Sequence, residues 1–407
     1  MRYLVVTHAG GSPYHGPNTR WYYLFRAFLD SEQPVEANIV SSSNFHKYLK
    51  PPLISEGYDA QLIDGIRYHW IKTKPYKKRG IGQIWNQFQF VFGCWKFRHK
   101  IEKIRPDVII ASSPHPFVVF PAYHLSRALS VPLIYEVRDL WPQVLIELGG
   151  YSRWHPYIYL LGLAEKFAVR HSQLIFSVKP GDFEYFCDHY GLDNSKFRYL
   201  PNGFFPIAED VTAPDRSFQY LRDKYKFLIV YVGAVSAYYQ LDKLILLADM
   251  LSDHPEIGVV VMGSGDYSNA LEQAAKEKML RNFYLLGPIP KSKVMAVLKN
   301  ADACYVGLAD LPVNRYGISC NKIYEYMFAG KPIIGHYKVG YDPVRAAGCG
   351  VTAASGDERL LVKEILKWLR DPALARSLGN RGKEYFDQHH NFKEVVKKLQ
   401  KYVAQIT

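Results

Sequence analysis

Two charged side chains, Lys322 and Glu325, stand three residues apart in a stretch that is typical of a short helix. Ser319 or Asn321 is the expected N-cap, and Gly330 is the expected stop. A lysine in the first turn opposes the helix dipole, and a bound anion would reverse that penalty. A carboxylate one turn further can accept two hydrogen bonds from a sugar diol. The pair predicts a nucleotide site, with the lysine toward a diphosphate and the glutamate toward a ribose. The alternative is an exposed Lys–Glu pair on an ordinary amphipathic helix.

A second group of chemically capable side chains follows two apolar segments of the first half. His115 comes after the expected strand 107–113, and Arg138 and Asp139 come after the expected strand 132–137. Because the carboxyl ends of parallel strands meet at one edge, these side chains should lie close together. A buried arginine braces a diphosphate or a carboxylate, and Asp139 can accept from a hydroxyl or hold Arg138. His115 fits a capping or packing role equally well.

The elements that would position these residues form two successive strand–loop–helix halves. A buried strand at 3–7 leads into Gly10 and Gly11, whose lack of a side chain lets a phosphate approach the backbone. The pattern of strand, glycine and helix restarts at 227, after a proline-containing boundary at 205–217. The sequence therefore predicts an α/β protein of two Rossmann-like halves with a cleft between them. Further expected elements are a strand at 36–41, an edge strand at 64–71, an aromatic-rich helix at 82–103, and helices at 358–385 and 392–403.

Length and composition fit two globular domains. The chain has 407 residues, of which 48% are hydrophobic. Its five cysteines show no CxxC spacing, which favours reduced thiols in a cytosolic protein over a disulfide framework or a zinc site. The apolar run after Met1 is too short for a signal peptide, and no apolar stretch approaches the ~20 residues of a membrane span.

The net charge of +13 is concentrated in one stretch. Residues 67–105 hold eleven Lys or Arg against Glu102 alone, a net +10, interleaved with Trp, Tyr and Phe. Such a composition favours an anionic membrane surface, where each basic residue contributes ~1 kcal/mol. Nucleic acid is the other class of partner, and no nucleic-acid motif accompanies the stretch. The remaining alternative is a solvated loop next to a helix whose aromatic residues pack in the core.

The segments Tyr-Gly-Ile-Ser-Cys-Asn-Lys at 316–322 and Tyr-Met-Phe-Ala-Gly-Lys-Pro at 326–332 resemble the donor site of retaining family-4 glycosyltransferases. The likeness is strongest to the bacterial surface-polysaccharide branch that includes N-acetyl-fucosamine-type transferases. The resemblance implies a GT-B fold, with two Rossmann-like domains facing across a central cleft. The implied domains are an acceptor-binding domain at 1–205, a nucleotide-sugar-binding domain at 206–388, and a C-terminal helix at 389–407 that crosses back to the first domain.

The resemblance also implies roles for particular residues. The implied catalytic residues are His115, Arg138, Asp139 and Lys322. The implied donor-binding residues are Gly10, Gly11, Ser12, Arg20, Gly263, Gly287, Ile289, Ser319, Asn321, Lys322 and Glu325. For Arg20, a helix arginine on the surface is the alternative.

The sequence departs from the family pattern at three places. The first of the family's two glutamates falls on Gly317, an arginine and a lysine are missing after Gly233, and Arg138 stands where a histidine is common. A leaving diphosphate still needs positive charge, which Lys322 with Arg20, Arg138 or Arg315 would have to supply.

The function implied is transfer of a sugar, expected to be N-acetylated, from a UDP donor to a lipid-linked saccharide acceptor in O-antigen or capsule synthesis. Configuration would be retained, no metal or other cofactor is expected, and the enzyme would lie on the inner face of the cell membrane. One alternative is a nucleotide-sugar 2-epimerase or hydrolase on the same fold. Another is a non-catalytic, membrane-associated nucleotide-sugar binder.

Overall fold

A computed structural model describes residues 1–16, 19–31, 35–76, 80–205 and 213–407. It divides into two compact units, Met1–Phe205 with Phe392–Thr407, and Pro206–Asn391. Three of the cations in the basic stretch, at 77–79, lie outside the described residues, as does most of the expected boundary, at 206–212.

The described residues of the first unit hold an eight-stranded sheet. Its strands are β1 Arg2–Val6, β2 Glu36–Ser42, β3 Tyr58–Ile63, β4 Ile66–Ile71, β5 Val108–Ser112, β6 Leu133–Val137, β7 Leu174–Ser177 and β8 Phe197–Tyr199. The strand order is β3-β4-β2-β1-β5-β6-β7-β8, and every pair is parallel except β3 with β4. The central strands β1, β5 and β6 are apolar over nearly their whole length because helices cover both faces of a parallel sheet.

The hairpin of β3 and β4 corrects the prediction of an edge strand at 64–71. Asp64 and Gly65 both have a positive φ, 49° and 83°, and form the tight turn between the two strands. The edge strand is therefore β3, and β4 lies inside it. Sequence reasoning missed β3 because Asp59 and Gln61 interrupt its apolar residues and weaken the strand pattern.

The described residues of the first unit form seven helices between residues 1 and 205. They are α1 Arg20–Leu29, α2 Ile81–Lys96, α3 Arg98–Glu102, α4 Val119–Leu129, α5 Gln143–Glu147, α6 Pro156–His171 and α7 Asp182–Tyr190. The single helix predicted at 82–103 was wrong, because the chain breaks at Phe97 between α2 and α3. The Phe97 ring packs 5.7 Å from the ring of Tyr58, in a place where Gly57 leaves room for it. This packing accounts for the break.

The second unit is a parallel α/β unit. Its described strands are β9 Phe227–Val232, β10 Ile257–Met262, β11 Phe283–Gly287, β12 Ala303–Gly307, β13 Ile333–His336 and β14 Gly350–Ala353. They lie in the order β11-β10-β9-β12-β13-β14. Its described helices are α8 Arg216–Lys224, α9 Asp242–Met250, α10 Ser268–Glu277, α11 Lys291–Asn300, α12 Asn321–Phe328, α13 Pro343–Ala347, α14 Glu358–Arg370 and α15 Pro372–His389. The predicted helix at 358–385 is two helices, because Pro372 starts a new one and Asp371 caps it through the amides of Ala373 and Leu374.

The last helix, α16 Phe392–Val403, belongs to the first unit. Its apolar face joins the core cluster that includes Trp21 and Phe25 of α1. Burial of each large side chain on this face stabilises the unit by about 1.5–3 kcal/mol. The buried residues are Phe392, Val395, Val396, Leu399 and Val403. No helix in the described ranges is both long enough and apolar enough to cross a membrane.

Candidate active site

The carboxyl ends of β9, β10 and β11 approach one another through glycines. The Gly233 amide donates to the Met262 carbonyl (2.9 Å), and the Gly263 amide donates to the Gly287 carbonyl (2.8 Å). A Cβ atom on Gly263 would lie 1.8 Å from the Gly233 carbonyl oxygen, so no larger residue allows this approach. The strand ends therefore present backbone without side chains, and Lys322 lies directly over this surface.

The ammonium group of Lys322 is held by aromatic rings. Its Nζ lies 3.4 Å from the ring centre of Tyr239 and 5.4 Å from that of Tyr231. Its Cε occupies the space that a Cβ on Gly233 would need, 2.2 Å away. Burial lowers the pKa of Lys322, and no carboxylate of the described residues forms a salt bridge with it. A partly buried cation that lacks a carboxylate partner is suited to bind an anionic ligand.

Glu325 lies one turn further along α12 and is partly exposed. Burial raises its pKa, while the nearby charges of Lys291 and Lys322 act in the opposite direction. Within the part of the chain that the structure describes, Glu325 forms no salt bridge with Lys322. The exposed Lys–Glu pair that the sequence left open is therefore not formed, and both groups remain available to a ligand.

The N-terminus of α12 differs from the expected cap. Cys320 is the N-cap residue, and its side chain forms no capping hydrogen bond. Asn321 is instead the first helical residue, and the Ser319 hydroxyl pairs with the Tyr324 hydroxyl at 3.1 Å. The prediction of a capping Ser319 or Asn321 was wrong. The positive end of the helix dipole and the Lys322 ammonium thus occur together at one helix terminus, an arrangement that favours phosphate.

Gly317 accounts physically for the missing glutamate. Its φ is 101°, and a Cβ atom there would lie 2.6 Å from the Cβ of Tyr341. A glutamate could not occupy this backbone without a shift of the loop. The segment after Gly233, which lacks the family's arginine and lysine, contains Tyr239. The Lys322 ammonium lies on the ring of this tyrosine.

Sequence reasoning missed three residues of this region. Tyr231 and Tyr239 contact the Lys322 ammonium, and the positive charge of Lys291 acts on Glu325 by lowering its pKa against the effect of burial. For Tyr239, the available signal was that its segment, 233–241, lacks the arginine and lysine that the family has there. Ile289, which the resemblance implied in base binding, lies partly exposed in the loop between β11 and α11.

In the first unit, the structure brings His115 beside His8. The ring centres are 4.8 Å apart at the ends of the adjacent strands β5 and β1. Burial lowers the pKa of His115 well below its usual value, and neither ring nitrogen finds a hydrogen-bond partner among the described residues. His8 Nε2 lies 2.5 Å from Asn86 Oδ1, and burial lowers the pKa of His8 to about 4. Since His115 has no exposed surface, direct contact with substrate is not available in this conformation.

Arg138 and Asp139 follow β6 but do not bind each other. The Arg138 amide donates to the Ser113 hydroxyl at 2.9 Å, which fixes the backbone at the strand end. Burial lowers the pKa of the Arg138 guanidinium, and the charge of Glu136 opposes this effect. Across the described ranges its side chain forms no hydrogen bond or ion pair, so it can bind an anion. Asp139 is exposed and forms no ion pair with Arg138 among the described residues, which leaves its other expected role, accepting a hydrogen bond from a hydroxyl, as the prediction.

Arg20 does not face a diphosphate. Its Nε donates to Glu136 Oε1 at 2.9 Å, and its terminal nitrogens donate to the carbonyls of Pro201 (2.9 Å) and Leu200 (3.1 Å). Trp21 Nε1 donates to the other Glu136 oxygen at 2.7 Å. Arg20 is 5% exposed, so the surface-arginine alternative fails as well. The residue links α1, β6 and the end of β8 as a structural ion pair.

The loop after β1 forms hydrogen bonds with residues of the first unit. The Gly10 amide donates to the Ser41 hydroxyl at 2.9 Å, and the Ser12 hydroxyl lies 2.8 Å from His15 Nδ1. Gly10, Gly11 and Ser12 are all buried. The contacts implied for these three residues with a donor diphosphate stay a prediction.

Comparison with family models matches both halves of the chain. Residues 15–203 match a model described as a glycosyl transferase 4-like domain. Residues 213–385 match a model described as glycosyl transferases group 1. A search of curated protein sequences gives no match.

Solved structures with the same fold cover nearly the whole chain. A sucrose-phosphate synthase from Thermosynechococcus elongatus has a TM-score of 0.69 at 16% identity and covers 99% of this chain and 98% of its own. Anabaena HepE in complex with UDP has a TM-score of 0.67 at 14% identity, with full coverage of both chains. WaaG, a glycosyltransferase involved in lipopolysaccharide biosynthesis, has a TM-score of 0.64 at 13% identity, also with full coverage. At these identities the likeness shows the fold, which is GT-B, with two Rossmann-like units.

Proposed function

We propose that this chain, a glycosyltransferase of GT-B type, transfers a sugar from a UDP-sugar donor to a lipid-linked saccharide acceptor. The sugar is N-acetylated, and the product belongs to a bacterial surface polysaccharide such as an O-antigen or a capsule. The observation that carries the proposal is the Lys322 ammonium, which lies on Tyr239 at the bare ends of β9 and β10 and has no carboxylate partner among the described residues.

The donor diphosphate binds between Lys322 and the N-terminus of α12. As the sugar leaves, negative charge grows on the diphosphate, and stabilising such charge is usually the largest catalytic contribution. Lys322 takes over the role of the arginine and lysine missing after Gly233. Glu325, one turn deeper, accepts hydrogen bonds from the ribose hydroxyls. Since a side chain and a helix dipole supply the positive charge, transfer proceeds without a divalent metal.

The first unit binds the acceptor at the carboxyl ends of β5 and β6. Arg138 has a guanidinium available to an anion at this edge, and it contacts the acceptor's phosphate. His115 and His8 support this edge from within the core instead of touching substrate. The retaining outcome follows a front-face displacement, in which the leaving diphosphate accepts the proton of the acceptor hydroxyl and no enzyme carboxylate acts as nucleophile.

Membrane association is supported by the outer face of α2. Ile81, Trp85, Phe92 and Trp95 recur at helical spacing on that face and are 87%, 59%, 69% and 43% exposed. The opposite face, with Phe90 and Cys94, is buried. Packing in the core therefore explains the apolar residues of that face but not the exposed aromatic residues of the outer face. Exposed Trp and Phe followed by the cations of 96–105 are typical of a segment that lies in a membrane interface. The enzyme is therefore peripheral, on the inner face of the cell membrane.

The supporting likenesses agree with this donor class. HepE was solved with UDP and with UDP-glucose, and WaaG acts in lipopolysaccharide biosynthesis. The test is a transfer assay with a panel of UDP-sugars, a polyprenyl-diphosphate-linked saccharide, and a chelator in place of metal. A glycosylated lipid with retained anomeric configuration is the expected product. Donor binding without any product would contradict the proposal.

A non-catalytic nucleotide-sugar binder is a second candidate. Gly317, which stands where the family has a glutamate, and the absence of the family's arginine and lysine after Gly233 favour it. The product distinguishes the candidates: glycosylated lipid indicates the transferase, an altered free sugar nucleotide indicates a 2-epimerase or hydrolase, and neither product indicates the binder.

A further inference from the structure

The first unit contains a cavity of about 510 Å³ that the proposed transfer does not use. It lies at the amino ends of β7 and β8, the edge of the sheet opposite to the strand ends that carry Arg138. Its volume falls within the roughly 300–1,000 Å³ of small-molecule sites. Its polar lining includes Arg170, His171, Ser172, Lys196, Arg198 and Gln405.

The cavity is electropositive. Arg170, Lys196 and Arg198 line it, and none of the lining residues is Asp or Glu. Arg198 is fixed in place: its Nε and one terminal nitrogen donate to Gln405 Oε1 at 3.2 and 2.9 Å, and its guanidinium lies 5.8 Å from the ring centre of Tyr402. In the described part of the chain, Arg170 and Lys196 form no ion pair. Three like charges around one cavity favour an anionic occupant.

Arg170 and Lys196 are the cations whose charge is available at this cavity, since neither forms an ion pair among the described residues. The other terminal nitrogen of Arg198 donates to the carbonyls of Ser195 and Phe197, both at 2.8 Å, so Arg198 adds positive charge while its donors are engaged. A phosphate is an acceptor that would satisfy Arg170 and Lys196 together.

The helix that leads to the cavity indicates where the phosphate comes from. Tyr159, Leu160 and Leu163 are exposed on one face of α6, 66%, 44% and 46%, and Trp154 just before the helix is 92% exposed. Arg170 continues the same face, seven residues after Leu163, and reaches the cavity. A helix face with exposed apolar residues followed by basic residues is typical of a helix lying on an anionic membrane surface.

We propose that this cavity binds the phosphate of an anionic lipid headgroup while the exposed face of α6 lies on the membrane. The inference rests on the proposed membrane association, and it adds a lipid contact outside residues 67–105. Because the basic residues surround one cavity, the site should distinguish anionic from neutral lipid headgroups. A basic surface without such a cavity would attract any anionic lipid less selectively.

The test is co-sedimentation with vesicles of phosphatidylcholine, with and without phosphatidylglycerol. The variant is Arg170→Gln with Lys196→Gln, and the charge-matched control is Lys299→Gln with Lys363→Gln, two exposed lysines of the second unit. The variant is expected to bind phosphatidylglycerol vesicles at least ~10-fold more weakly than the control, because each basic residue at such a surface contributes ~1 kcal/mol. Both should bind phosphatidylcholine vesicles equally through their aromatic residues.

Three results would overturn the inference. The first is equal binding of variant and control to phosphatidylglycerol vesicles, which leaves membrane association itself intact. The second is a wild-type protein that does not prefer phosphatidylglycerol. The third is binding of free glycerol 3-phosphate as tight as that of vesicles, which would identify a soluble ligand instead of a lipid. Transfer to a detergent-solubilised acceptor does not require the cavity, so failure of that assay concerns the proposed function alone.

Discussion

Replacing Lys322 by methionine should separate ligand binding from stability. The change keeps the length of the side chain over Tyr239 and removes the charge. A hydrogen bond to a charged group contributes about 1.5–3 kcal/mol, so a loss of about 2 kcal/mol raises the Kd for UDP by roughly 30-fold. At a UDP concentration of about 100 times the wild-type Kd, stabilisation by the ligand should fall from ~2.7 to ~0.9 kcal/mol.

The same substitution should not weaken the ligand-free protein. Lys322 is partly buried, burial lowers its pKa, and it lacks a carboxylate partner among the described residues. Removing such a charge should leave stability unchanged or raise it by about 0.5–2 kcal/mol, as is common when a functional site is neutralised. The measurement is thermal unfolding with and without UDP. Lys299→Met, on the exposed side of α11, is the matched control. An unchanged UDP response, or a clear loss of ligand-free stability, would refute the assignment of Lys322 to the diphosphate.

Three further predictions concern carboxylates. Glu325→Ala should weaken UDP binding roughly tenfold and leave pyrophosphate binding unchanged, and calorimetry showing equal UDP affinity would remove the ribose assignment. Burial raises the pKa of Glu165 to about 8. The folded protein therefore holds a proton that the unfolded chain has lost between about pH 4.5 and 8, and stability falls with rising pH in that window by up to ~1.4 kcal/mol per unit. Glu165→Gln should flatten that slope in urea unfolding, and a slope equal to that of the wild type would contradict the burial argument. Arg20→Met should destabilise the first unit by about 3–5 kcal/mol by leaving Glu136 buried without its cation. Adding Glu136→Gln should restore part of the loss, and absence of any recovery would argue against the ion pair.

The sequence predicted the architecture well because apolar periodicity and glycine positions are local signals. The buried strands at 107–113 and 132–137 correspond to β5 and β6, and the restart at 227 corresponds to β9. The break at Phe97 could not be predicted, since it depends on packing against Tyr58, which is distant in the sequence. The break at Asp371 and Pro372 was readable from capping chemistry and was overlooked.

For the site residues, too, local signals could be read from the sequence, whereas contacts between distant residues could not. Lys322 and Glu325 could be singled out because their spacing on one helix carries the information. Arg20 could not be assigned, because its partner Glu136 lies 116 residues away on another strand. His115 illustrates the limit of the strand-end rule, which places a side chain at the correct edge without deciding whether it is buried or exposed.

The position of α16 has a consequence for synthesis of the chain. Phe392, Val395 and Leu399 complete the core of the first unit, yet the ribosome makes them after the whole second unit. At about 5–20 residues per second, residues 206–391 take roughly 10–40 s, during which α1 presents an uncovered apolar face. The second unit, although later in sequence, has all its strands and helices available before the first unit does. Nascent chains should therefore depend on chaperones for the first unit, and a stop codon before Phe392 should yield a folded second unit attached to an aggregation-prone first one.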